Sequence, residues 1–155
     1  MRKLGLLVVF VTLVALSPKT VKACTCVTSS ETIKGFSLKT WLKEFDGAMF
    51  TGRVKKIETV RLKVDQELAS DSLRVTFQVD KYWKGVNNTE AVVYTGAGCC
   101  DCGVHYVEGE NYFVIAHRTD GYLRTNICTS PENYRDVDLY IKELGRGKTS
   151  KAKKR

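Results

Sequence analysis

The chain has 155 residues, 43% apolar and 27% charged, with two prolines and twelve glycines. That is enough for one domain with its own core and too little for two, and it excludes collagen-like or proline-rich material. No P-loop or GxSxG motif is present, and His105 and His117, the only histidines, lie too far apart for an HExxH zinc helix.

Residues 1–23 read as a secretory signal. Arg2 and Lys3 supply the charged start, Leu4 to Leu16 the apolar stretch, and Val21-Lys22-Ala23 the cleavage site. The apolar run is too short to span a bilayer. The mature chain is expected to begin at Cys24 and to be secreted. A bacterial lipobox would also place a cysteine after the cut, and lipidation would anchor Cys24 to a membrane, but Lys22 stands where a lipobox has a small residue.

The formal charge is +8. Removing the leader's four cations leaves +4, and residues 146–155 carry six more basic residues, so the body 24–145 is near −2. The basic character sits at the ends, so a nucleic-acid-binding face on the body is not supported. Residues 146–155 read as a disordered tail. A functional role for it is attachment to an anionic surface or polysaccharide.

In chain order, 27–36 is polar and loop-like. Ser37 caps a short helix through Asp46 that places Leu38, Trp41, Leu42 and Phe45 on one face, with Gly47 ending it. Ala48 to Val60 reads as a long strand. Phe50 and Val54 are in phase and Ile57 is not, so a bulge is expected at Gly52 or at Lys55-Lys56. Residues 63–71 form a polar connection. Leu73, Val75, Phe77 and Val79 alternate with polar residues in a half-buried strand that runs into Tyr82-Trp83-Lys84-Gly85.

Val86 to Thr89 is a turn. Asn87-Asn88-Thr89 forms a glycosylation sequon, usable where the host has that machinery. Ala91 to Tyr94 is a short strand, Gly96 to Gly103 a cysteine loop, and Tyr112 to Ala116 a continuous apolar strand. Asp120-Gly121 is a turn and Tyr122 to Cys128 a fifth strand. Ser130 and Pro131 open a second helix with Tyr134, Val137, Ile141 and Leu144 on one face and Gly145 at its end. Five strands, the first bent, with two flanking short helices predict a mainly β, OB-fold-like Greek-key barrel over 24–145.

All six cysteines (24, 26, 99, 100, 102 and 128) follow the leader. An even count in an exported chain favours disulfides. Two bridges from the N-terminus to the body would each close a loop of about 80–100 residues and stabilise by roughly 4 kcal/mol. Zinc held by the CxC, the CCxC and His105 is the alternative, but the spacing is not that of structural zinc sites. Cys99-Cys100 is open to a vicinal bridge, an intermolecular bridge or the reduced state. Cys99-Cys100-Asp101-Cys102 lacks the βαβ context of thiol-redox enzymes, and Glu108 and Glu110 read as turn acids, so no enzymatic activity and no cofactor are expected.

The start Cys24-Thr25-Cys26-Val27 resembles the inhibitory N-terminal domain of the tissue inhibitors of metalloproteinases, within the netrin-like module. The likeness continues through Phe77-Gln78-Val79, Tyr82-Trp83-Lys84-Gly85, Tyr94-Thr95-Gly96, Cys102-Gly103-Val104, Gly109 and Tyr112-Phe113-Val114-Ile115-Ala116, and closes at Cys128. The resemblance implies an OB-like barrel and bridges Cys24–Cys102 and Cys26–Cys128.

It also implies a function, inhibition of zinc metalloendopeptidases. Cys24 would chelate the target's catalytic zinc through its α-amine and carbonyl. Thr25 would enter the adjacent specificity pocket, Cys26, Val27 and Thr28 would follow the cleft, and Asp101 would lie beside them. The family's third bridge and second domain have no counterpart here, and Thr28 stands where many animal members have proline. In this the chain is more similar to short, single-domain bacterial-type relatives. Other netrin-like modules bind proteins or matrix and inhibit nothing, and this is the alternative function, with the basic tail as the attachment point.

Overall fold

The computed structural model describes residues 38–62, 70–97, 101–129 and 134–150. They form α1 (Leu38–Glu44), β1 (Gly47–Leu62), β2 (Ser70–Lys84), β3 (Glu90–Gly96), β4 (Asn111–Thr119), β5 (Tyr122–Arg124), α2 (Tyr134–Leu144) and β6 (Lys148–Thr149). The leader expected over 1–23, the polar segment 27–36, most of the 63–71 connection and the Ser130-Pro131 helix start lie outside the described residues.

The strands make one mixed sheet in the order β1-β4-β5-β3-β2-β6, and a second pairing of β1 with β2 closes five strands into a ring. The ring is irregular, since β5 meets β3 through the single parallel pair Tyr94↔Arg124. The mainly β architecture with two very short helices agrees with the sequence reading at that level.

β1 makes closure feasible. Its first half pairs with β4, from Gly47↔His117 to Arg53↔Asn111, while the strand from Met49 to Leu62 pairs with β2. Serving two neighbours requires a bend. Register shifts fall at Met49/Phe50, Thr51/Gly52 and Val54/Lys56, so both expected bulge positions are used. The extra residue Lys55 resets the inward phase. Val54 faces Phe77, and Ile57, now opposite Val75, turns back to the core. Beyond the bulge, the Ile57 amide donates to Glu108 Oε1 at 2.8 Å.

The strands carry two apolar clusters. Inside the ring, Phe50, Val54, Val75, Phe77, Val93, Tyr106 and Val114 are buried together. Phe77 is the hub, meeting the rings of Phe50 at 5.5 Å and Tyr106 at 5.2 Å, both edge-on. On the outer face, Phe45, Met49, Phe113 and Ile115 are buried beneath Leu42, Val137, Ile141 and Leu144 of the helices and Trp83 of β2. This explains the continuous apolar run in β4. Val114 and Ala116 point into the ring, Phe113 and Ile115 to the helices.

α1 ends at Glu44, two residues before the expected Asp46. Its last carbonyls have no helical partners. Lys84 Nζ meets those of Leu42 at 2.6 Å and Lys43 at 2.9 Å, placing a cation at the helix's negative end. α2 ends where Gly145 takes φ +74° and its amide returns to the Ile141 carbonyl. The side chains of Trp41 and Tyr134 lie outside the described residues.

Two expectations need correction. The fifth strand was expected to run from Tyr122 to Cys128 and stops at Arg124. The cause is Asn126, whose side chain accepts the amides of Cys128 at 2.9 Å and Thr129 at 3.1 Å and folds the chain into a turn. The basic segment 146–155 was expected to be disordered throughout, yet Lys148–Thr149 form β6 against Lys81 and Tyr82 of β2. Gly147 lets the chain pass tight against Trp83, and Ser150 Oγ donates to the Val79 carbonyl at 2.9 Å. Residues 151–155 lie outside the described residues.

Candidate functional site

Of the expected inhibitory residues, Cys24, Thr25, Cys26, Val27 and Thr28 lie outside the described residues, as do Cys99 and Cys100. Asp101, Cys102 and Cys128 are described.

The loop Asp101–Val104 lies flat across the end of β3. Cys102 adopts φ +57°, a left-handed conformation uncommon for a residue with a side chain. Gly103 fits only because it lacks a Cβ, which would collide with the Gly96 carbonyl, and a Cβ on Gly96 would collide with the Asp101 carboxylate. Asp101 is exposed and accepts the Gly103 amide at 3.3 Å. The Val104 amide donates to the hydroxyl of buried Thr95 at 2.8 Å, which pins the far side of the loop to β3.

The turn after β5 supplies the other side. Thr125 is 5% exposed, and its hydroxyl donates to the Ile115 carbonyl at 2.9 Å. The Thr125 amide meets the Tyr94 carbonyl at 2.9 Å. Asn126 then caps the turn that presents Cys128, which is exposed. The Ile127 amide donates to the Cys102 carbonyl at 2.9 Å, so the two cysteine segments meet. Cys102 and Cys128 are both disulfide-bonded.

Beside this edge is an open cleft of about 430 Å³ bounded by Tyr94, Gly96, Asp101, His117, Arg124 and Asn126. Nε and Nη2 of Arg124, beside it, are buried with no acceptor among the described residues. The sequence carries no sign of the cleft, because Arg124 reads as an ordinary polar strand residue. The Asn126 cap was also missed, since Tyr122 to Cys128 looks like extended chain. An Asn two residues before a cysteine was the available signal.

His105 and His117 are far from being a pair. Both are exposed, and His117 meets Phe45 edge-on at 4.7 Å. Among the described residues no three His, Cys, Asp or Glu side chains converge as a metal site, and no helix is long and apolar enough to cross a membrane. No protein-family model and no curated protein matches the chain.

Proposed function

We propose that the protein is a secreted inhibitor of zinc metalloendopeptidases, with the α-amine and carbonyl of Cys24 as its zinc ligands. The carrying observation is the contact between the Cys102 and Cys128 segments through the Ile127–Cys102 bond. Cys24 and Cys26 are two residues apart, at most about 7 Å along extended chain. Two bridges from so short a segment require anchors side by side, which is how the two disulfide-bonded cysteines stand. Bridges Cys24–Cys102 and Cys26–Cys128 would hold Thr25 outward on a rigid edge, with Val27 and Thr28 continuing along it and Asp101 beside it. The ring order, with its parallel β3–β5 pair and bent first strand, favours an OB-type Greek-key barrel in the netrin-like manner.

The chemistry suits the task. A catalytic zinc keeps one position for water, and nitrogen or oxygen ligands at about 2.0–2.2 Å can replace that water. An α-amine has a pKa of about 8, so its neutral form is accessible near neutral pH. Amine and carbonyl of one residue chelate together, and a doubly bridged segment avoids most of the ordering cost of a free peptide.

The test is inhibition of a panel of zinc metalloendopeptidases by mature protein beginning at Cys24, beside an aliquot acetylated at the Cys24 amine. Inhibition that disappears on acetylation is expected. Absence of inhibition by the free-amine, fully bridged protein would sink the proposal in favour of a netrin-like binding module.

A further inference from the structure

The Asn87-Asn88-Thr89 sequon has no part in the inhibitory edge. It occupies the turn between β2 and β3, and all three residues are exposed. The turn is anchored on both sides. Gly85 reverses the chain at φ +73°, in a space where a Cβ would strike the Gly47 carbonyl. Val86 is buried at 7% exposure, and the Val79 amide donates to the Thr89 carbonyl at 2.8 Å. Between these ties the chain lifts Asn87 and Asn88 into solvent.

We propose that Asn87 is an N-glycosylation site, its co-substrate a lipid-linked oligosaccharide diphosphate of a secretory compartment. In the transfer, Asn87 Nδ2 bonds to C1 of the first sugar. The C1–O bond to the diphosphate breaks, the lipid diphosphate leaves with the bonding pair, and Nδ2 gives up one proton. An exposed acceptor in a surface turn suits the reaction, because neither ring nor core must open to admit the enzyme.

The position also has a consequence for the inhibitory edge. Asn87 precedes the first residue of β3, whereas Asp101–Gly103 cross its last, Gly96. Seven residues at about 3.3 Å each separate the two ends by roughly 20 Å. A glycan on Asn87 therefore grows from the opposite end of the ring and leaves the Cys102 edge open.

The proposal rests on export of the chain, and the experiment separates the two. The full chain is expressed in a eukaryotic secretory host, and medium and lysate are both assayed. The expected product is a secreted protein whose mobility shifts on treatment with an N-glycan amidase, with conversion of the Asn87 carboxamide to a carboxylate seen by peptide mass. Asn87→Gln and Thr89→Ala should each abolish the shift, while Asn88→Gln should keep it. Secretion without a glycan, or a shift that survives Asn87→Gln, overturns the site and leaves export standing. Retention of unglycosylated chain in the lysate overturns export and the site together. Amidase treatment is expected to leave protease inhibition unchanged, and a change would overturn the placement of the glycan away from the edge.

Discussion

The amide of Ile127 donates to the carbonyl of Cys102 across 2.9 Å, joining two segments 25 positions apart in the chain. The bond exists because two local devices agree. Gly103 lets the Cys102 loop lie on Gly96, and Asn126 turns the chain after β5 so that Ile127 faces that loop.

Gly103→Ala is therefore expected to act on both stability and inhibition. The new methyl meets the Gly96 backbone, which is not free to withdraw. A loss of about 1–3 kcal/mol is expected in denaturant titration. Weaker protease inhibition should accompany it under conditions where the variant remains folded. Inhibition unchanged in a destabilised Gly103→Ala would detach the loop from the inhibitory edge.

Trp83 ties the outer layer together. Its ring meets Phe113 edge-on at 5.6 Å, and Nε1 donates to the Gly145 carbonyl at 2.9 Å, at the end of α2. Trp83→Phe keeps an aromatic ring and removes the bond, which should cost about 1 kcal/mol. Trp83→Ala also removes the packing and should cost roughly 3 kcal/mol or more. Urea unfolding of the two variants compares the bond with the ring, and equal losses would contradict this division.

Glu58 lies between two cations, with Lys56 Nζ and Arg74 Nη1 each at 2.8 Å. The hydrogen bond from Lys56 does most to hold its carboxyl below the ordinary carboxylate range, with desolvation opposing. A depressed folded pKa means that the unfolded chain takes up the proton first. The stabilisation is full above the ordinary carboxylate pKa and is lost as pH falls through the folded value. Stability measured against pH should therefore fall less steeply on the acid side in Glu58→Gln. The change should be small and should shrink further with added salt, because the site faces solvent.

Two truncations divide the basic segment. Removing 151–155 deletes Lys151, Lys153, Lys154 and Arg155 and leaves β6 in place. Stability should be unchanged, and any salt-sensitive retention on an anionic matrix should weaken. Removing 146–155 also deletes β6 and the Ser150–Val79 bond. Thermal melting should register that second step and not the first. Equal melting temperatures for both would show that β6 adds nothing to stability.

Several elements were legible from local pattern. The alternation from Leu73 to Val79 places β2, and the phase break between Val54 and Ile57 locates the bulge that bends β1. Gly145 marks the end of α2 through its left-handed φ. The run Tyr112 to Ala116 identifies a strand, and its lack of alternation reflects two cores, one on each side of β4. β6 escaped notice because Lys148-Thr149 carries no apolar period. It is a strand only because β2 offers it an edge.

By itself, the sequence determined which segments extend, where the first strand must bend and which residues favour burial, since these follow from side-chain period and backbone preference over a few neighbouring residues. Tertiary structure alone decided that β3 and β5 run parallel and that Cys102 and Cys128 share an edge. Each depends on hydrogen-bond partners distant in the chain. Tyr94 accepts from Thr125 and Cys102 from Ile127, and no local pattern names a partner that only ring closure brings within reach.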